Sequence, residues 1–437
     1  MKKVLILFFC IIIGIGIYLV STNKNITIYE EEKKEFIDSF MTEKIEDEEA
    51  VINYYSIYGQ NLNLKGTLNI DTTDISDINL VMINDDKELT YPVIYTLDSN
   101  NISFSTFEKI NQGLYLDGIK EGNYILALKV IYTIEEEQSD KYYTIINNTA
   151  YSDIDYYTIT NNDKNNLISI KFNNYEDVND YITINVSNAN KLDEIYDILI
   201  DPGHGGKDSG AINGKFHEAD IALDCAKIVK EKLEQNGFKV KLTRENSTDD
   251  INVYDAGGRV ALAYETKAKY TFSIHLNSST ASTVGGIEIY SPNESKFDLA
   301  KSLADSLASL TSFGYSKNNS YKVYNGVYVK NFDNYLKKEI LDLASKRGIE
   351  PYPVDENTPY LFMIRETGGI NTHAYVDGRD SRYSINKYYK SNIGTESYLL
   401  EIGYISNNYE LNNILDNKEK YADNIANSIT NYIREKK

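Results

Sequence analysis

Two cysteines in 437 residues leave no material for a disulfide framework. Cys10 lies in an apolar N-terminal run and Cys225 in a helical stretch, which argues against even one bridge. Basic residues are also short: 45 Lys and Arg stand against 65 Asp and Glu, a formal net charge of −20. Nucleic-acid backbones are held by an excess of Lys and Arg, so nucleic acid is excluded as a partner class. Solubility alone accounts for the acidity. No internal repeat and no low-complexity tail is present, which argues against a repeat architecture. Histidine is scarce as well, with four in the chain: His204, His217, His275 and His373.

One long apolar run is present, and it is terminal. It covers residues 4–20, seventeen positions behind Met1-Lys2-Lys3. That length is at the short end for a membrane span and exceeds most signal-peptide cores. No small-x-small cleavage site follows it, so residues 1–23 read as a membrane anchor, with a cleaved signal segment as the alternative. Phe8 and Phe9 ahead of Cys10 argue against a lipoprotein. Lys2 and Lys3 flank the run on one side and the acidic stretch from Glu30 on the other. The positive-inside rule then expects an extracytoplasmic body, anchored at the membrane or secreted.

Residues 24–50 are charged and mostly acidic and read as a linker. Residues 51–190 change to short alternating runs separated by Asn, Asp and Gly, the texture of an all-β, immunoglobulin-like sandwich. The tyrosines there could stack on sugars, but alternating tyrosine is more often simply compatible with a sheet. From residue 191 to 437 strands alternate with helices, as in an α/β domain. The pattern predicts strands at 195–200, 238–243, 270–274, 286–290, 360–364 and 398–402. Helices are expected at 219–235, 259–266, 299–310, 335–345 and, closing the chain, 410–434.

Two of the four histidines end strand-like runs. His204 follows Ile198-Leu-Ile200 within Asp201-Pro-Gly-His-Gly-Gly206, and His275 follows Phe272-Ser-Ile274. In open α/β sheets ligands bind beyond the C-terminal strand ends. Glu218 opens the next helix, a short reach from either end. Two His and one Glu, with a fourth position left to water, is a catalytic zinc set.

At these residues the chain resembles the zinc-dependent N-acetylmuramoyl-L-alanine amidases of bacterial cell-wall hydrolases. The segments that carry the resemblance are Ile198-Leu-Ile-Asp-Pro-Gly-His-Gly-Gly-Lys-Asp-Ser-Gly-Ala211, Glu218-Ala-Asp-Ile-Ala-Leu223, Leu242-Thr-Arg244, Ser273-Ile-His-Leu-Asn277, Gly286-Ile-Glu-Ile-Tyr290 and Leu400-Glu-Ile-Gly-Tyr-Ile-Ser-Asn407. It implies a mostly parallel, mixed sheet with helices on both faces. It also implies one catalytic zinc ion held by His204, Glu218 and His275, with Glu401 as the catalytic carboxylate. The substrate would be peptidoglycan, cut at the amide between N-acetylmuramic acid and L-alanine. Asn277 is a candidate substrate contact, and Arg365 a candidate partner for a peptide carboxylate.

Three departures stand out. Ala219 replaces the Lys usual in the family after the ligand Glu. His217 precedes Glu218 and competes with it as a ligand; neighbours at a helix start point in different directions, which favours Glu218. An insert at residues 366–395 holds His373 and Asp377-Gly-Arg-Asp-Ser-Arg382, and either shapes or covers the groove or is a plain surface loop. Two other functions stay open on the residues alone: a zinc peptidase acting on stem or cross-link peptides, and a silent wall-binding or activator protein. A protein activator, the process served and the oligomeric state have no signal in the sequence.

Overall fold

The computed structural model describes residues 48–436, apart from 85–86, 150–152, 160–163, 176–177, 191–192, 254–255, 349–353 and 369–390. The N-terminal apolar run, most of the acidic linker, His373 and the 377–382 cluster lie outside the described residues. No helix among the described residues is long and apolar enough to cross a membrane.

The N-terminal half is all β. Strands Ile75–Asn84, Gly122–Ile134, Lys164–Tyr175 and Val178–Asn190 form one layer. Ala50–Tyr58, Asn61–Leu68 and Asn101–Ser105 form another. The strand Glu137–Asn147 joins them, antiparallel to Gly122–Ile134 and parallel to Ala50–Tyr58. Alternate side chains point inward, as the strand period of two requires. Leu80, Met82, Leu126 and Leu128 of one layer meet Ile52, Leu62, Leu64 and Ile102 of the other in a single apolar core.

The C-terminal half is built on a seven-stranded mixed sheet. Its strands in chain order are β1 (Ile198–Pro202), β2 (Val240–Leu242), β3 (Tyr270–Asn277), β4 (Glu288–Tyr290), β5 (Lys322–Tyr324), β6 (Val327–Tyr328) and β7 (Glu396–Tyr404). They lie in the order β2-β1-β3-β7-β4-β6-β5. Contacts from β2 through β7 are parallel, and β4 reverses direction against β7. Helices α1 (Glu218–Gln235), α2 (Arg259–Glu265), α3 (Asp298–Ala308), α4 (Asn334–Arg347), α5 (Phe362–Thr367), α6 (Asn408–Asp416) and α7 (Lys418–Glu435) complete it.

Strand alternation sends helices to both faces. Ile198, Ile200, Tyr398 and Leu400 pack with Ile221, Cys225 and Val229 of α1, Leu303 of α3 and Ile425 and Ile429 of α7. The intervening Leu199 packs on Ala263 of α2, and Leu399 on Ile364 of α5. Buried on both faces, β1 reads as a continuous apolar run, as parallel strands do.

Two predicted elements need correction. Residues 360–364, expected to be extended, lie largely in helix α5. A short apolar run has no period that separates strand from helix. Here neighbouring side chains serve different clusters, Met363 packing on Val260 and Ile364 on Tyr290, Tyr328 and Leu399. The single closing helix is two, broken at Asn417, whose φ of −124° and ψ of 24° leave the helical region. The Asn417 amide donates to the Asn413 carbonyl at 3.0 Å, the local competition by which Asn interrupts helices.

The β half grips the start of β7. Ile393–Gly394 pairs in parallel with Ile57 and Tyr58, and the Ser397 N–H donates to the Tyr58 hydroxyl at 3.2 Å. The buried Asn111 amide donates to Glu396 Oε1 at 3.1 Å, Tyr432 Oη at 3.2 Å and the Lys296 carbonyl at 3.0 Å. Its Oδ1 accepts the Lys296 N–H at 2.8 Å. The described ends of the insert meet here too, Thr395 N–H donating to the Thr367 carbonyl at 2.9 Å. They flank the N-terminal end of β7, five residues before Glu401. We expect Asn111→Ala to lower unfolding free energy by about 1–3 kcal/mol, since buried partners lose their hydrogen bonds. Urea unfolding followed by tyrosine fluorescence measures this; unchanged stability would show that the contact contributes nothing.

Candidate metal centre

The glycine-rich turn after β1 is what presents His204. Its backbone φ of +59° lies in the left-handed region, a conformation that costs a residue with a side chain on the order of 1 kcal/mol. Two buried arginines hold the turn there. Arg259 Nη1 donates to the Pro202 carbonyl at 2.9 Å, and its Nη2 to the His204 carbonyl. Arg244 donates to the Pro202 carbonyl at 3.1 Å, to Gly203 at 2.9 Å and, across to α1, to Ala219 at 2.6 Å.

Asp201 is the counter-charge. It pairs with Arg259 and accepts the Thr243 and Ser273 hydroxyls, each at 2.7 Å. Burial pushes its carboxyl up, but Arg259 and the two hydroxyls outweigh burial and hold it below the usual range.

Glu218 stands at the first position of α1, where the helix dipole favours an anion. Its Oε2 accepts the Ala211 N–H at 2.9 Å and its Oε1 the Leu276 N–H at 3.1 Å. The same Oε1 lies 3.0 Å from His204 Nε2 and 3.0 Å from His275 Nδ1. Burial raises the Glu218 carboxyl, and the two imidazoles more than reverse this, holding it far below the carboxylate range. The imidazole rings stand nearly perpendicular, 78° apart, with centroids at 4.9 Å. This closeness needs glycine: a Cβ on Gly203 would fall 2.3 Å from the His275 ring, and one on Gly210 2.7 Å from both Glu218 and His204.

One ligand atom from each of His204, Glu218 and His275 lies within 4.8 Å of the others. His204 turns its Nδ1 to Asp208 Oδ2 at 2.8 Å, which leaves Nε2 facing the cluster. Metal-bound histidines are oriented by such a carboxylate. Glu401 is the register partner of His275 on the adjoining strand. Its Oε2 is buried without a hydrogen-bond partner, an acceptor left open beside the trio. The donor set, its outer carboxylate and the open acceptor fit a zinc ion. Burial, then the charges of Glu218 and Glu288, push the Glu401 carboxyl well above its ordinary value.

Proton competition at this site has a direction. Burial pulls the His204 imidazole down, but Glu218 and Asp208 prevail and hold its pKa at about 9. Without metal, its stabilising contribution is complete below the ordinary 6.5 and fades as pH rises through about 9. A metal must displace that proton, so zinc affinity should rise about tenfold per pH unit up to about 9 and then level off. Competition against a chelator between pH 6 and 10 measures this, and a flat affinity would refute it.

The other candidates fall elsewhere. Asn277, half-buried two residues beyond His275, accepts its own Ser278 N–H at 2.8 Å and with its carbonyl the Ile405 N–H at 2.9 Å. His217 takes the N-cap position of α1 without a capping bond from its side chain, its Nδ1 3.7 Å from Asp220 Oδ2. Arg365 is 2% exposed, pairs with Glu366 at 2.9 Å and donates to the Pro359 and Tyr360 carbonyls. These bonds hold the guanidinium against α5. Sequence reasoning passed over Asp208, four residues after His204, as well as Arg259 and Glu288. The first was legible as a carboxylate inside the motif; Arg259 carried no local signal.

Comparison with known proteins bears on this half of the chain. Residues 198–341 match the family model described as N-acetylmuramoyl-L-alanine amidase. The chain is 37% identical over 110 residues to N-acetylmuramoyl-L-alanine amidase LytC of Bacillus subtilis (strain 168), 25% of this chain and 21% of that protein. It is 35% identical over 103 residues to the germination-specific N-acetylmuramoyl-L-alanine amidase of the same organism, 21% of this chain and 44% of that protein. The matched region therefore spans less than half of either relative. Among solved structures, the catalytic domain of CwlV from Bacillus (Paenibacillus) polymyxa var. colistinus is 24% identical, with a TM-score of 0.36 over 55% of this chain and 99% of that one.

Proposed function

Residues 198–341 belong to the N-acetylmuramoyl-L-alanine amidase family, and on that premise we propose that this protein hydrolyses the amide between N-acetylmuramic acid and L-alanine in peptidoglycan. The observation that carries the reading is the meeting of His204, Glu218 and His275 beside the open Glu401 carboxyl. His204, Glu218 and His275 would hold one zinc ion. A bound zinc supplies Lewis acidity and a lowered pKa for water at the site.

The chain's own residues do the rest. Asp208 fixes the tautomer of His204, while the Ala211 and Leu276 N–H groups hold the Glu218 carboxylate. Glu401 takes the proton of the attacking water and returns it to the departing L-alanine amine. One carboxylate serves both transfers when its proton affinity is raised, the direction burial gives Glu401. Asn277, at the same strand end as His275, is the proposed substrate contact.

The body of the protein would lie outside the cytoplasmic membrane, on the strength of residues 4–20 and the preceding lysines, with the wall as its partner. We read the β half as immunoglobulin-like. Mass spectrometry of peptidoglycan digested by the zinc-loaded protein tests the reading. Free stem peptides with an unblocked L-alanine amine and an intact glycan are expected. Cleavage inside the stem would make the protein a peptidase, and no release would overturn the reading.

A further inference from the structure

Three acid–base side chains stand in one row across the sheet. His275 on β3 is the register partner of Glu401 on β7, and Glu401 is in turn the register partner of Glu288 on β4. Side chains directly opposite on antiparallel strands lie about 4.5–5.5 Å apart at Cβ, and like charges so placed repel. Two carboxyls side by side in a buried sheet are therefore an unfavourable arrangement that needs a reason.

Their surroundings differ. Glu288 is 0% exposed and both its oxygens are taken: Tyr290 donates to Oε2 at 2.7 Å and Tyr404 to Oε1 at 2.8 Å. Two phenolic donors stabilise a carboxylate and fix where it points. Tyr290 is itself packed among Tyr328, Ile364 and Leu399, so that the clamp is rigid. The neighbouring Glu401 has Oε2 buried with no donor at all. One carboxyl is saturated and immobile, and the other is left open between it and the histidine pair.

We infer that Glu288 is a positioning residue for Glu401: held by Tyr290 and Tyr404, it fills the β4 side of Glu401 without offering a hydrogen-bond donor, which leaves the open Glu401 oxygen to the His204–Glu218–His275 side. The inference rests on the proposed function for Glu401 as proton carrier. It differs from a merely structural role, in which Glu288 anchors two tyrosines and nothing more.

The test compares zinc-loaded wild type with Glu288→Gln, Glu401→Gln and the double variant Tyr290→Phe/Tyr404→Phe. Zinc content, melting temperature, kcat and KM on a muramyl-peptide substrate, and calorimetric binding of acetohydroxamate are measured. For Glu288→Gln we expect wild-type zinc content and KM, and a kcat lower by about 10- to 100-fold, the scale on which a small misplacement slows turnover. Acetohydroxamate, an oxygen chelator whose hydroxyl proton a well-placed carboxylate would accept, should bind about tenfold more weakly to both Glu288→Gln and Glu401→Gln. The double variant keeps the charge but frees it, and should lose kcat without losing zinc. Unchanged kcat and hydroxamate affinity per folded, zinc-loaded molecule in Glu288→Gln and the double variant would overturn the inference. If the wild type releases no stem peptide while the hydroxamate pattern holds, the proposed substrate is wrong and the positioning role stands.

Discussion

Glu401→Gln is expected to keep its zinc and its fold and to lose turnover by about 10²- to 10⁴-fold, the contribution of a positioned general base. The metal should stay because Glu401 is not among the three converging ligand residues, and Glu218 keeps its own two N–H donors. The fold should stay, and even gain slightly. Glutamine removes a half-buried carboxyl that sits beside Glu288 and has a buried oxygen without a donor. The chemistry fails because an amide can neither accept the water's proton nor return one to the leaving amine. Zinc analysis together with stem-peptide release measures both halves of this expectation. Near-wild-type release would remove Glu401 from the mechanism; loss of zinc would make it a ligand.

Asp201→Ala should cause the largest loss of stability of any single change near the site. Asp201 never touches the proposed metal group. It neutralises Arg259 and receives the Thr243 and Ser273 hydroxyls, so its removal leaves a buried guanidinium without its counter-charge and two hydroxyls without this acceptor. Breaking a buried ion pair from one side costs about 3–5 kcal/mol. The loss is local in its consequence, because Arg259 also donates to the carbonyls of Pro202 and His204. Without its partner Arg259 no longer clamps the turn, and the left-handed His204 loses part of what holds it. Denaturant unfolding should show the loss of stability, and zinc titration a weaker site. A variant as stable as wild type with unaltered zinc binding would show that the ion pair is dispensable.

The contrast between these two residues shows what could be read in advance. Glu401 and the three ligand residues each lie in a short motif at a strand end or a helix start, where the apolar run, the turn and the cap are neighbours in sequence. Short apolar runs alone indicated where β1, β3 and β7 run and hence where His204, His275 and Glu401 fall. Asp201 lay in the quoted motif, yet its partner Arg259 is 58 residues away and joins it only through packing of α2 on the sheet. The run before Arg365 misled, because a short apolar stretch has the same look in strand and helix; it coils into α5 and buries Arg365.

By itself the sequence determined the α/β character of residues 191–437, the turn that bears His204, the helix start that bears Glu218 and the residue types of the zinc set. These follow from local periodicity and from glycine at positions where a side chain would strike His275 or Glu218. Tertiary structure alone decided that Glu288 stands opposite Glu401, that Arg244 and Arg259 converge on one turn, and that Asn111 reaches Glu396 across 285 residues. Strand register and helix docking are set by the closure of a whole core, and no stretch of chain carries that information within itself.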